Sequence, residues 1–329
     1  MFGIEAVCER WPTKAPFKIT GYTFGDCEVV VATLTTDGVS GSGEAFGVYY
    51  HDETPASMAA EIGELNRLLE TGISREELRQ RVPAGGARNA VDCALWDLEA
   101  QRSGIPAFVT AGLGTLAPLK TTYTVGAGTP DEMALAARSY APAPLLKLKL
   151  TGEDDASRLA AVRAARPDAW IGVDANQGFT RTSLEALMPV LVDLNIGLIE
   201  QPVRVGDEES LRSLNSPIPL AADESVQSFA DIAKLLGTFD VINIKLDKCG
   251  GLTEALAMIK EVRRLGMRPM VGCMQASSLG IAPAFLAGQF CDYVDLDAAM
   301  FLTKDREPSF VYADGVICPQ ESGWGTPRT

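Results

Sequence analysis

Apolar residues in the second half of the chain fall in short runs, each followed by a stretch with apolar positions three and four apart. The runs are Thr121–Val125, Leu145–Leu150, Trp170–Ala175, Gly197–Gln201, Pro219–Glu224, Val241–Leu246, Arg268–Cys273 and Tyr293–Asp297. Helical spacing fills the intervals at Glu153–Ala165, Thr182–Leu194, Ser228–Leu236 and Leu252–Leu265. Near-continuous apolar strands alternating with helices predict a parallel sheet covered on its outer face, with right-handed crossovers between strands. Eight such units predict an α/β fold built on a TIM-type barrel.

The first part of the chain reads differently. Val29–Leu34 is a β-branched strand, Thr36-Asp37-Gly38 a turn, and Val39–Ala45 a returning strand, so a hairpin is expected. Glycines 38, 41 and 43 have no helix start or lysine after them in the manner of a phosphate loop, and are read as turn glycines. Helices are expected at Pro55–Leu69 and Arg75–Arg81, and an amphipathic one at Ala87–Arg102. The division expected is an α+β capping domain over 1–117, a barrel over 118–300, and a segment over 301–329 returning to the cap.

Composition narrows the function. A net charge of −14 and a pI near 4.6 disfavour nucleic acid and anionic membranes as partners and favour a small molecule. No apolar run reaches the roughly 18 residues of a membrane span, and Met1-Phe2-Gly3-Ile4-Glu5 does not begin a signal peptide, so a cytoplasmic location is expected. The seven cysteines form no C-x-x-C pair and are expected to be reduced. His51 is the only histidine, which excludes sites that need two and leaves acid–base chemistry to lysine, carboxylates or tyrosine.

In a barrel of this kind the chemistry sits where the strands end. Here the ends are charged: Lys147 and Lys149, Asp174 and Asn176, Glu200, Asp223-Glu224, Lys245, then Asp295 and Asp297. Asp174, Glu200 and Asp223 come from three successive strands and should converge. Like charges held together need a cation, and all-oxygen ligation without histidine selects Mg²⁺ over Zn²⁺. Lys149 and Lys245 fall on strands to either side of these carboxylates. A divalent cation with a lysine on each face suits abstraction of a proton α to a carboxylate, and two bases permit epimerisation.

These residues resemble the enolase superfamily, in its muconate-lactonising subgroup. The likeness runs through Glu9-Arg10-Trp11-Pro12, the stretch Pro83–Asp97, the K-x-K of Lys147 and Lys149, Val173-Asp174-Ala175-Asn176, Ala222-Asp223-Glu224-Ser225, Asn243–Gly251 and Asp295-Leu296-Asp297. Within it the chain is similar to bacterial L-Ala-D/L-Glu dipeptide epimerases. The resemblance implies a modified (β/α)₇β barrel with its cap, one Mg²⁺ per subunit (Mn²⁺ substituting) on Asp174, Glu200 and Asp223, and catalysis by Lys149 and Lys245. It implies that Lys147 adds positive field beside the substrate carboxylate, and that Asp295 and Asp297 hold the α-ammonium of a dipeptide. A homo-oligomer and a place in murein peptide metabolism are expected with it.

Three positions depart from that pattern. Alignment of Phe17–Val30 sets Phe24 where members acting on Ala-Glu carry an arginine for the glutamate side chain; Lys18 is the nearby basic alternative, and an apolar second residue is the other. Ala298 follows Asp297 where glycine is common. Met274-Gln275-Ala276-Ser277 has no carboxylate where lactonising relatives have a glutamate. The competing readings are N-acylamino-acid racemase, o-succinylbenzoate synthase or cycloisomerase and, more remotely, a non-catalytic binding protein.

Overall fold

The structure, a computed structural model, describes residues 3–19, 22–70 and 72–328. The cap is a three-stranded antiparallel sheet, β1 (Gly3–Ile19), β2 (Tyr22–Thr36) and β3 (Val39–Ala45), followed by helices α1 (Pro55–Glu64), α2 (Asn66–Glu70), α3 (Arg75–Arg81) and α4 (Gly86–Ser103). The expected hairpin is β2–β3, with Gly38 in its turn at φ 77°. The reading of Gly41 and Gly43 as turn glycines is corrected. Both lie inside β3, where a Cβ would come 2.1 Å from Leu98 N and 2.2 Å from Ala90 O. They let α4 lie directly on the strand. The single helix expected at Pro55–Leu69 is two, since Leu65 separates α1 from α2.

The barrel strands are β4 (Tyr123–Val125), β5 (Leu145–Lys149), β6 (Trp170–Asp174), β7 (Ile196–Glu200), β8 (Leu220–Ala222), β9 (Val241–Lys245), β10 (Arg268–Gly272) and β11 (Tyr293–Asp295). They are parallel and neighbour one another in chain order. Helices α5 (Pro130–Ser139), α6 (Asp155–Ala165), α7 (Arg181–Asp193), α8 (Phe229–Leu235), α9 (Leu252–Arg264) and α10 (Ser278–Gly288) lie between them, while a 3₁₀ turn at Glu208–Leu211 stands in for the helix after β7. Threonine caps start α1, α5 and α7, each with the residue at N3 bonding back to the cap.

Between β11 and β4 the ladder is finished partly by side chains. Thr122 N donates to Val294 O (3.1 Å), Thr124 N to Asp297 Oδ2 (2.7 Å) and Leu296 N to Thr121 Oγ1 (2.8 Å). Asp297 therefore helps close the barrel.

The outward faces of the strands pack on the helices in the main core, while Leu198, Ala221, Val241 and Met270 with Trp170 and Tyr293 plug the barrel bottom. The C-terminal residues return to the cap: Thr303 N donates to Pro12 O (2.8 Å), Trp324 Nε1 to Cys93 O (3.0 Å) and Gly325 N to Asp97 Oδ1 (2.9 Å).

Candidate active site

Strand register alone brings the charged ends together. Lys149 is paired across the ladder with Asp174 and Asp174 with Glu200, while Lys245 is paired with Gly272 and Gly272 with Asp295. Asp223 lies just past β8, so the carboxylates of Asp174, Glu200 and Asp223 each offer an oxygen within 4.8 Å of the others. All three are buried. A Cβ at Gly272 would stand 2.7 Å from Asn243 Oδ1 and 3.1 Å from Lys245 Cε, so glycine there leaves room for the lysine.

Four ammonium groups surround the cluster. Lys147 Nζ lies 2.7 Å from Asp295 Oδ2, 2.8 Å from Glu200 Oε2 and 3.1 Å from Asp174 Oδ2. Lys149 Nζ donates to Asp174 Oδ2 (2.7 Å) and Lys245 Nζ to Asp223 Oδ2 (2.7 Å). Lys248 Nζ, on the helical turn after β9, donates to Asp223 Oδ1 (2.5 Å), Asp223 O (2.6 Å) and Asn243 O (3.1 Å). The lysines of β5 are accordingly buried.

Against these four stand six carboxylates, Asp174, Glu200, Asp223, Glu224, Asp295 and Asp297, which with every group ionised would leave an excess of two negative charges. The proton affinities follow. Burial, then Asp174, pushes Glu200 up to about 8, and burial with Asp223 pushes Glu224 up to about 7. Burial would raise Asp174 too, but Lys149 and Lys147 outweigh it and hold it at about 2. Burial lowers Lys245, yet Asp223 and Glu200 more than offset this and carry it well above the usual lysine value.

The two aspartates of the D-x-D differ. Asp295 is committed to Lys147 and to Thr122 Oγ1 (2.5 Å). Asp297 accepts from Thr124 N and forms no ion pair among the described residues, and burial with Asp295 beside it raises it to about 7. Both line the pocket that also holds Lys147, Lys149 and Lys245.

The cap supplies the facing wall. Phe24 stands edge-on to Phe46 (5.7 Å between centroids) and to Tyr49 (5.2 Å), and Tyr49 to Tyr50 (5.1 Å). All four line the pocket. The side chain of Lys18 lies outside the described part of the structure.

Sequence reasoning overlooked the groups that hold this site. Gln201, fully buried, accepts from the backbone N–H of Asp223 (2.9 Å) and Ser225 (3.1 Å), and Asn243 Nδ2 donates to Glu200 Oε1 (2.8 Å). Cap loops near 16–27 and 47–53 were expected over the site, and Tyr49 and Tyr50 lie in the second, though neither tyrosine was singled out. Gln201 and Asn243 sit one residue after, or two before, a charged strand end, which was the available signal; nothing in the periodicity of the cap marks the tyrosines.

Residues 132–327 match the model for the enolase C-terminal domain-like family, and residues 1–110 that for the N-terminal domain of mandelate racemase/muconate lactonizing enzymes. The chain is 39% identical to the L-Ala-D/L-Glu epimerase of Escherichia coli K12, over 94% of this chain and 97% of that one. It is 37% identical to an N-acetyl-D-glutamate racemase of a Pseudoalteromonas species, over 90% and 95%. An enolase family member from Agrobacterium tumefaciens, described as homologous to dipeptide epimerases and solved with sodium and L-Ala-L-Glu, superposes with a TM-score of 0.95 at 41% identity, covering 98% of each chain.

Proposed function

Because this chain belongs to the enolase superfamily, with both the cap and the barrel of its mandelate racemase and muconate-lactonising members, we propose that it is a Mg²⁺-dependent dipeptide epimerase. One observation carries the reading: Lys149 and Lys245 end strands that flank the three carboxylates, and both face one pocket.

The donor set fits a divalent cation. Its ligands would be Asp174, Glu200 and Asp223, all oxygen donors on adjoining strand ends. Lys147 already holds a cation against two of them, and the two negative charges by which six ionised carboxylates would exceed four ammonium groups match one such ion. Mg²⁺ there would supply Lewis-acid stabilisation for the charge that develops on the reacting carboxylate.

Burial and the ammonium of Lys147 act to lower Lys245, the direction a base requires, against the opposing pull of Asp223 and Glu200. One lysine takes the α-proton of the second residue, and the ammonium of the other delivers a proton to the opposite face. Asp297, carrying no ion pair among the described residues, receives the free amine of the first residue. Phe24, Phe46 and Tyr49 offer the second side chain an apolar wall, so we propose that apolar second residues are accepted alongside acidic ones. The seven free cysteines are consistent with a reducing compartment, and we place the enzyme in the cytoplasm.

A second reading, N-acylamino-acid racemase, has one observation in its favour: Asp295 is already paired with Lys147, and only Asp297 remains for an amine. Turnover of L-Ala-L-Leu, L-Ala-L-Glu and N-acetyl-L-Glu, before and after EDTA, separates the two. The proposal expects both dipeptides to be epimerised, the N-acetyl compound to be slower by about tenfold or more for want of the charge-assisted bond, and activity to vanish with EDTA and return with Mg²⁺. Preference for the N-acetyl compound supports the second reading. Full activity in metal-free protein contradicts the role given to the carboxylates.

A further inference from the structure

Asn176 links one of the two lysines to a carboxylate that the mechanism above leaves unused. Its Oδ1 accepts from Lys149 Nζ (3.1 Å) and its Nδ2 donates to Glu224 Oε1 (3.3 Å). An ammonium can only donate, and Glu224 Oε1 accepts here, so each end of the amide has one partner it can face. Turning it over would set NH₂ against ammonium and oxygen against oxygen.

The backbone presents the amide in this pose. Asn176 has φ 42° and Gln177 φ 68°, two left-handed residues in succession, a conformation that persists only where its surroundings fix it. They are fixed: Asn176 N donates to Asp174 Oδ1 (2.9 Å) and Gln177 N to Gln201 O (2.8 Å). The chain thereby doubles back just past Asp174 and brings the amide beside Lys149.

Glu224 is placed from the other side. Its carbonyl accepts from Gln227 Nε2 (2.7 Å), which also donates to Tyr50 Oη of the cap (3.2 Å). Glu224 Oε2 is buried without a hydrogen-bond partner among the described residues. Lys245 has no such amide, and among the described residues its ammonium hydrogen-bonds to Asp223 alone.

We infer that Asn176, held by Glu224, is a positioning residue for Lys149 and not for Lys245, so that the two half-reactions depend on different supports. The inference rests on the two-lysine reading above. It concerns the aim of the lysine nitrogen, which the reaction senses steeply because a misplacement of about 1 Å can cost on the order of a hundredfold in rate.

The test is α-deuterium uptake in D₂O from L-Ala-L-Leu and, separately, L-Ala-D-Leu. Lys149→Ala identifies the epimer whose proton Lys149 removes, as the one whose exchange is lost; Lys245→Ala identifies the other. Asn176→Gly keeps the left-handed backbone and deletes the amide. It should slow exchange of the Lys149 epimer by about tenfold or more while the other stays within about twofold. Glu224→Gln, which leaves residue 176 intact, should slow the same epimer by less and guards against a folding defect in the first variant. Equal slowing of both epimers, as expected of a substrate-binding or merely structural residue, overturns the inference, and so does no slowing of either. If the wild-type protein exchanges neither epimer, the epimerase reading itself fails and takes the inference with it, an outcome distinct from the other two.

Discussion

Asp247 Oδ1 accepts the backbone N–H of Phe46 at 2.9 Å, and so ties the cap loop to the strand that ends in Lys245 two residues earlier. The same oxygen accepts from Gly47 N (2.9 Å). The wall formed by Phe46, Tyr49 and Tyr50 is thereby held in register with the strand that ends in Lys245, although the two are about two hundred residues apart.

That tie is pH-sensitive. Burial pushes Asp247 up to about 7, against the hydrogen bonds from Gly47 and Phe46. A carboxyl whose folded value is raised contributes stability that is complete below the unfolded value near 4 and is lost as pH rises through about 7. Asp247→Asn keeps an acceptor oxygen and does not titrate. Its melting temperature relative to wild type should therefore improve steadily from pH 4 to 8, with a total swing of at most about 4 kcal/mol at about 1.4 kcal/mol per pKa unit. A difference that is flat across this range contradicts the assignment.

At the barrel bottom, a Cβ on Gly197 would lie 2.1 Å from Trp170 Nε1. Gly197→Ala should cost about 1–3 kcal/mol by overpacking, seen as a fall in melting temperature. The protein that remains folded should retain its kcat, because the clash is at the end of the barrel away from the lysines.

Phe24→Arg addresses substrate choice. The wall of Phe24, Phe46 and Tyr49 bears no charge for an acidic side chain. An arginine there should raise kcat/KM for L-Ala-L-Glu over L-Ala-L-Leu on the order of tenfold, since a charge-assisted hydrogen bond is worth about 1.5–3 kcal/mol. No change in the ratio would mean that residue 24 does not face the second side chain.

The barrel was legible because its strands are apolar to their last residue and then abruptly charged, as in Ile171-Gly172-Val173-Asp174 and Leu198-Ile199-Glu200. Parallel register then aligns Lys149, Asp174 and Glu200 without further instruction. The long first strand was not legible. Ile4 and Ala6 face the cap core while Glu5 and Val7 face outward, and its pairing with β2 is set across a register shift between Pro12 and Phe17. Gly41 and Gly43 were misread because their purpose is the close approach of a helix that begins only at Gly86. Of the aromatic wall, Phe24 and the loop near 47–53 were expected at the site, but not Tyr49 and Tyr50 themselves, which line the pocket of the lysines only through the docking of the cap. Ion pairs such as Arg306 Nη2 with Glu44 Oε2 (2.9 Å), which join the C-terminal segment to the cap, have no local signal.

The most direct test of the two-lysine account is the fate of the α-hydrogen when L-Ala-L-Leu is epimerised in D₂O by wild-type protein, Lys149→Ala and Lys245→Ala. The wild-type product should carry deuterium at the inverted carbon. Each variant should fail to epimerise while still exchanging the α-hydrogen of one epimer, and the two variants should exchange opposite epimers. Epimerisation by either variant at the wild-type rate, or a wild-type product that retains its original hydrogen throughout, would contradict it.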